Sequence, residues 1–250
     1  MKTFDSGGVE IAYVDEGSGA PILLVHGFAS NVQVNWLDTG WVRTLTGAGF
    51  RVVAMDVRGH GHSQKLYDET LYGAPIFAKD ALGLLEHLQI ERADVMGYSM
   101  GARVCAFLAM EHPARVRRAV FAGLGANMVI GMPGARAIAH SFLADSIDDI
   151  GHPTAKSFRA FAESTGSDLR ALASCILSAR AKITPEMVAG IGVPVLVAVG
   201  TDDVIGGPAG DLAKLIPGAE AFDIEGRDHM KAVGDRSFKA AVLDFLVRQR

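Results

Sequence analysis

The sequence predicts an α/β protein, with a mostly parallel central sheet, helices on both faces and a helical cap. Three observations predict it. Short, mainly apolar runs recur at residues 22–25, 51–55, 116–122 and 195–199. A strand apolar on both sides is buried on both faces, as in a parallel sheet between two helical layers. Amphipathic helical stretches separate these runs, the alternation that β-α-β units require. Finally, the stretch between Gly123 and Pro194 carries helical patterns and no convincing strand.

In chain order, residues 9–14 alternate and read as a strand near a sheet edge. Asp15-Glu16-Gly17-Ser18-Gly19-Ala20 is turn chemistry, which suggests a hairpin into residues 22–25 and an antiparallel edge. Helices are expected at residues 41–48, 76–88, 100–111, 209–215 and 238–249, with further strands at 93–96 and 220–224. In the middle segment, residues 135–146, 155–164 and 169–181 look helical. Thr184-Pro185-Glu186-Met187 reads as a capped helix start with proline at its first position. The expected organisation is a core of residues 1–123 and 190–250, with residues 124–189 as a lid over the carboxyl ends of the strands.

The 250 residues are 49% hydrophobic and 21% charged, an ordinary globular balance. A net charge of −4 gives no support for nucleic acid or an anionic membrane as a partner. No run approaches a membrane span, and Met1-Lys2-Thr3-Phe4-Asp5-Ser6 lacks a secretory core, so a cytoplasmic protein is expected. Two cysteines, Cys105 and Cys175, imply neither a disulfide framework nor a four-cysteine metal site. His60 and His62, two apart in a Gly-rich turn, are poor metal ligands, and no cofactor is expected.

The chemistry starts at Gly97-Tyr98-Ser99-Met100-Gly101, between the strand at 93–96 and the helix at 100–111. A serine between two glycines at a strand-to-helix corner is the pattern of a nucleophile elbow. Side chains at the glycine positions would collide with the neighbouring strand and helix. A serine hydroxyl attacks only when a base takes its proton, and the base needs an orienting acid. Both should follow later strands. Asp203 lies in the loop after residues 195–199, and His229 in the loop after residues 220–224. Asp202 competes with Asp203 for the acid position. His26, His60, His62, His87, His112, His140 and His152 all fall outside that last loop. Oxyanion donors are expected at the backbone N–H of Met100 and, from His26-Gly27-Phe28, that of Phe28. Trp36, Met128, Phe142, Phe158 and Met230 are candidates to line an apolar acyl pocket.

These pieces resemble the α/β-hydrolase superfamily over nearly the whole chain. Asp56-Val57-Arg58-Gly59-His60-Gly61-His62-Ser63 is similar to its D-x-R-G-x-G-x-S signature. The resemblance implies a loop-fixing role for Asp56 and Arg58, and it carries the acid role to Asp203, three residues past Gly200. Asp228 stands where many members have a small residue before the histidine. Serine at position 99 argues against the dehalogenase-like and epoxide hydrolase-like members, which carry aspartate there. The resemblance implies a serine hydrolase of a small acyl substrate, an ester or a lactone. Alternatives that use the same triad are carbon–carbon bond hydrolases, haloperoxidase-like esterases and menaquinone-pathway-like lyases, whose elbow Gly97 to Arg103 resembles. A ligand-binding member with little turnover is a third class. The sequence leaves oligomeric state open.

Overall fold

Residues 1–131, 134–178 and 181–248 are described by a computed structural model. Among them, eight strands form one sheet in the order β1-β2-β4-β3-β5-β6-β7-β8. They are β1 (Lys2–Asp5), β2 (Glu10–Gly17), β3 (Ala20–Val25), β4 (Phe50–Met55), β5 (Ala93–Tyr98), β6 (Val116–Ala122), β7 (Val195–Gly200) and β8 (Glu220–Ile224). From β4 to β8 all neighbours are parallel, while β2 runs antiparallel to both β1 and β4.

Strand side chains alternate between faces, and both faces are dry. Leu23, Val25, Val53, Val95, Phe121 and Val197 pack towards α2 (Ala74–His87) and α3 (Met100–Glu111). Ile22, Leu24, Val52, Met96, Val120 and Leu196 pack towards α1 (Trp41–Gly47) and α10 (Arg236–Arg248). That two-sided burial is why these strands read as mainly apolar runs rather than as alternating ones.

The expected hairpin between residues 9–14 and 22–25 does not form. β2 pairs with β4, so β4 lies between β2 and β3. The glycines of Gly17-Ser18-Gly19 carry the chain across the α1–β4 turn: a Cβ at Gly17 would meet the Phe50 carbonyl, and one at Gly19 would overlap the Gly49 carbonyl. The antiparallel edge comes instead from β1, which pairs with β2 through the turn at Ser6-Gly7-Gly8.

Helices α4 (Asn127–Ile130), α5 (Ala135–Leu143), α6 (Pro153–Ser164), α7 (Leu169–Leu177) and α8 (Pro185–Ala189) occupy the stretch between β6 and β7. Thr184 caps α8 as its sequence suggests, accepting from Met187 N–H at 3.3 Å. Ile138, Phe142, Ala155, Leu172 and Ile176 form a separate small core with Ala29 from the loop after β3. The short α9 (Ala209–Ala213) precedes β8. Residues 132–133, 179–180 and 249–250, which the expected helices and lid partly include, lie outside the described residues. No described helix is long and apolar enough to cross a membrane.

Candidate active site

Ser99 sits between β5 and α3 with φ 54° and ψ −111°, in a region costly for a residue bearing a side chain. Its surroundings hold it there. Ser99 N–H donates to the Ala122 carbonyl at 2.7 Å, and its own carbonyl accepts from Ala102 N–H at 3.0 Å. A Cβ at Gly97 would overlap the Gly101 carbonyl, and one at Gly101 the Val25 carbonyl. Glycine is therefore required at both positions for β3, β5 and α3 to meet. The serine itself stays partly exposed.

His229, from the loop after β8, has Nε2 3.0 Å from Ser99 Oγ. Its Nδ1 lies 2.7 Å from Asp203 Oδ2. A carboxylate only accepts, so Nδ1–H donates to Asp203 and the Nε2 lone pair faces the serine hydroxyl. Asp203 Oδ1 accepts from Ile205 and Gly206 N–H, each at 2.8 Å. Its carboxyl is buried, whereas Asp202 is exposed and uses its backbone N–H on the Arg227 carbonyl. The acid and base loops are laced together by that bond, by Thr201 N–H on the Ile224 carbonyl and by Gly226 N–H on Thr201 Oγ1.

Two groups that serve this arrangement, Tyr98 and Asn35, had no role assigned from the sequence. The Tyr98 hydroxyl donates to the His229 carbonyl at 2.6 Å, and its ring lies 5.5 Å from the imidazole. Burial pushes that phenol well above its ordinary range. Asn35 Oδ1 accepts from Gly27 N–H at 3.0 Å, pinning the loop that carries Phe28. Asp228, the departure from the superfamily pattern, accepts from Met230 and Lys231 N–H and thereby forms the turn that follows the histidine. Only the turn-forming habit of aspartate could have marked it.

The Asp56–Ser63 stretch is a stapled loop. Asp56 accepts from Val32 and His62 N–H, both at 2.7 Å. Arg58 makes a two-pronged pair with Asp80, at 2.6 and 2.7 Å, and also donates to the Leu71 carbonyl. His26 and His60 are fully buried, their rings 5.3 Å apart. His26 donates from Nδ1 to the Gly27 carbonyl and accepts from Val57 N–H, so it is neutral. Burial holds His26 down to about 4 and His60 to about 3.

The pocket candidates separate. Phe142 and Phe158 lie against the Phe28 ring, with centroids 5.8 and 6.0 Å away. Met128 is buried in the α3-side core. Met230, beside His229, is half exposed. Trp36 is not brought to this cluster: it is fully buried, edge-on to Trp41, in the α1–α10 core, because the helical turn at Gln33–Leu37 points it under the sheet. Arg103, shared with the lyase-like elbow, donates to the Met128 and Ala181 carbonyls and so ties α3 to the inserted helices. Cys105 and Cys175 are both buried.

A family model of the alpha/beta hydrolase fold matches residues 20–135. The 2-hydroxymuconate semialdehyde hydrolase of Pseudomonas sp. (strain CF600) is 34% identical over 116 residues, 46% of this chain and 40% of that protein. Epoxide hydrolase B of Mycobacterium tuberculosis (strain ATCC 25618 / H37Rv) is 37% identical over 121 residues, 46% of this chain and 32% of that protein. The match thus spans less than half the length of these curated relatives. The enol-lactonase from Burkholderia xenovorans LB400 superposes over 98% of this chain and 100% of its own, with TM-score 0.77 and 26% identity. Sheet order, strained serine corner and these likenesses agree, and the chain has the α/β-hydrolase fold.

Proposed function

We propose that the protein is a serine hydrolase that cleaves a small carboxylic ester or lactone through an acyl-enzyme at Ser99. The observation that carries this reading is the hydrogen-bonded line Ser99 Oγ, His229 Nε2, His229 Nδ1, Asp203 Oδ2, at 3.0 and 2.7 Å. His229 takes the hydroxyl proton as Ser99 Oγ adds to the carbonyl carbon. Asp203 keeps the imidazole in the tautomer that can accept it and stabilises the imidazolium that results. The N–H groups of Phe28 and Met100 receive the oxyanion. His229 then returns its proton to the leaving alkoxide, and a water activated by the same imidazole releases the acid. For a lactone the alkoxide stays tethered to the acyl group. Phe142 and Phe158, around the Phe28 ring, supply an apolar wall for a short acyl chain, with helices α4–α8 as the lid.

The relatives' names divide among carbon–carbon bond, epoxide and lactone hydrolysis, so likeness alone does not select the reaction. Ser99 weighs against epoxide opening, since the resemblance implies aspartate there. Carbon–carbon bond hydrolysis is the second reading, favoured by the 34% identical 2-hydroxymuconate semialdehyde hydrolase. The test is turnover of p-nitrophenyl esters, lactones and vinylogous 1,5-diketones by wild type and Ser99→Ala. Ester or lactone turnover and fluorophosphonate labelling are both expected to vanish in Ser99→Ala. Undiminished turnover by that variant would overturn the nucleophile assignment, and preference for the diketones would favour the second reading.

A further inference from the structure

We propose that Thr165 and Ser167, in the turn between α6 and α7, are positioning residues for the oxyanion donor Phe28, acting through the carbonyl of Ala29. The inference rests on the reading of Ser99 as an acyl-accepting nucleophile with Phe28 N–H as one of its two donors.

Phe28 lies in a four-residue turn, closed by Ser30 N–H on the Gly27 carbonyl at 3.2 Å. The third residue of that turn, Ala29, has φ 59°, a left-handed conformation that glycine normally supplies. An alanine stays there only when its neighbours hold it. The Gly27 end is held from the core, by Asn35 Oδ1 on its N–H and His26 Nδ1 on its carbonyl. The Ala29 end is held from the inserted helices. Thr165 Oγ1 lies 2.9 Å and Ser167 Oγ 3.3 Å from the Ala29 carbonyl, across 136 and 138 residues of sequence.

Counting protons shows how the two hydroxyls share the Ala29 carbonyl. Thr165 Oγ1 is also 3.0 Å from the Ala162 carbonyl and 2.8 Å from Ser167 Oγ, and each hydroxyl has one hydrogen. If Thr165 donates to Ala29, Ser167 can donate to Thr165 in a chain. If Thr165 donates to Ala162, Ser167 can donate to Ala29. Either arrangement delivers a proton to the Ala29 carbonyl, but Ser167, at 3.3 Å against 2.9 Å, replaces Thr165 only through a longer, weaker bond.

The turn is anchored independently of this contact. Asp168, its next residue, accepts from the Tyr67 hydroxyl at 2.9 Å, and Ser174 donates to the Tyr67 carbonyl at 3.1 Å. The Phe28 ring, against Phe142 of α5 and Phe158 of α6, takes its bearings from the same helices. Without the two hydroxyls, Ala29 relaxes from its left-handed conformation and carries the Phe28 N–H off the oxyanion.

The test compares full-length wild type, Thr165→Val/Ser167→Ala, Thr165→Val and Thr165→Ser on whichever ester or lactone wild type turns over. The double variant is expected to lose kcat about tenfold to a hundredfold, the usual cost of a small misplacement, with KM nearly unchanged. Its affinity for a boronic acid or trifluoromethyl ketone, which form the tetrahedral adduct, should fall by the same factor as kcat/KM. Thr165→Ser should restore wild-type behaviour. A folded double variant with wild-type kcat and boronate affinity overturns the proposal. If the double variant does not fold, Thr165→Val carries the test: a drop of about fivefold, the worth of one hydrogen bond, reversed in Thr165→Ser, supports it, and equal kcat in all three overturns it. Ser99→Ala distinguishes the two levels. If it keeps turnover, the nucleophile reading falls; if it is inactive while the double variant is unimpaired, only the role of Thr165 and Ser167 falls.

Discussion

Replacing Asp203 with asparagine exchanges one carboxylate oxygen for an NH2 group of nearly the same shape and should cost almost all turnover. In the native loop Oδ1 accepts two backbone N–H groups, from Ile205 and Gly206, and Oδ2 accepts one N–H from His229. An asparagine has a single oxygen for these three donors. Turned with its oxygen towards Ile205 and Gly206, it keeps two bonds and presents its NH2 group to His229 Nδ1. The opposite orientation sets that NH2 group against two N–H donors, so the first is favoured. Nδ1 must then become an acceptor, which moves the imidazole proton to Nε2, facing Ser99 Oγ at 3.0 Å. The base now offers a proton where it needs a lone pair. Wrong-tautomer variants of this kind lose about four decades in kcat, which at about 1.36 kcal/mol per decade is about 5 kcal/mol of transition-state stabilisation. The assay is p-nitrophenyl butyrate hydrolysis, with Asp202→Asn in parallel. Asp202 is exposed, so its variant should stay within about twofold of wild type, the range of ±0.5 kcal/mol for surface changes. Asp203→Asn within tenfold of wild type, or Asp202→Asn with the larger loss, would refute the reasoning.

Two further expectations follow from buried groups. Tyr98→Phe removes the hydroxyl that holds the His229 carbonyl while keeping the ring; stability should drop by about 1 kcal/mol in urea titration, and kcat by up to about fivefold with KM steady. His26 and His60 make the fold acid-sensitive. Their folded values, about 4 and about 3, lie below the unfolded value of about 6.5, so below that pH the unfolded chain binds protons that the folded chain refuses. Stability is therefore full above pH ~6.5 and should fall by about 1.4 kcal/mol per pH unit for each histidine down to pH ~4. Desolvation raises the Asp56 carboxyl, a contribution of opposite sign. Urea midpoints flat between pH 7 and 5 would contradict the neutral buried pair.

The parallel part of the sheet was legible because burial on both faces writes itself as mainly apolar runs, and β5, β6 and β7 sit where those runs stand; the buried exceptions Asp94 and Arg118 pair with each other. The pairing of β2 was not. Turn chemistry is local, whereas the insertion of β4 beside β2 depends on a close approach between Gly17 and Phe50 that no window of sequence contains. Ser99 and His229 were legible from loop order, because chemistry restricts both the residue type and the strand end. The resemblance favoured Asp203 over its neighbour Asp202 by spacing alone; burial and two backbone donors supply the physical difference between them. Tyr98, Asn35 and Thr165 act through backbone atoms remote in sequence, and their side chains advertise nothing. Trp36 was misplaced because an aromatic residue near a site reads the same whether it faces the substrate or the core.

The chain leaves the sheet at the end of β6 and returns at the start of β7, and these two strands are direct neighbours. Adjacent strands stand only about 4.8 Å apart, although exit and return lie at opposite ends of the pair. A descendant of this gene could therefore lengthen, shorten or exchange α4–α8 while the β6–β7 ladder and the loops bearing Asp203 and His229 kept their seats, since longer excursions add little closure entropy. If α4–α8 form the lid proposed above, selection can rewrite what the site admits while Ser99, Asp203 and His229 stay in place. Among the contacts such a graft has to replace is the hydroxyl that meets the carbonyl of Ala29.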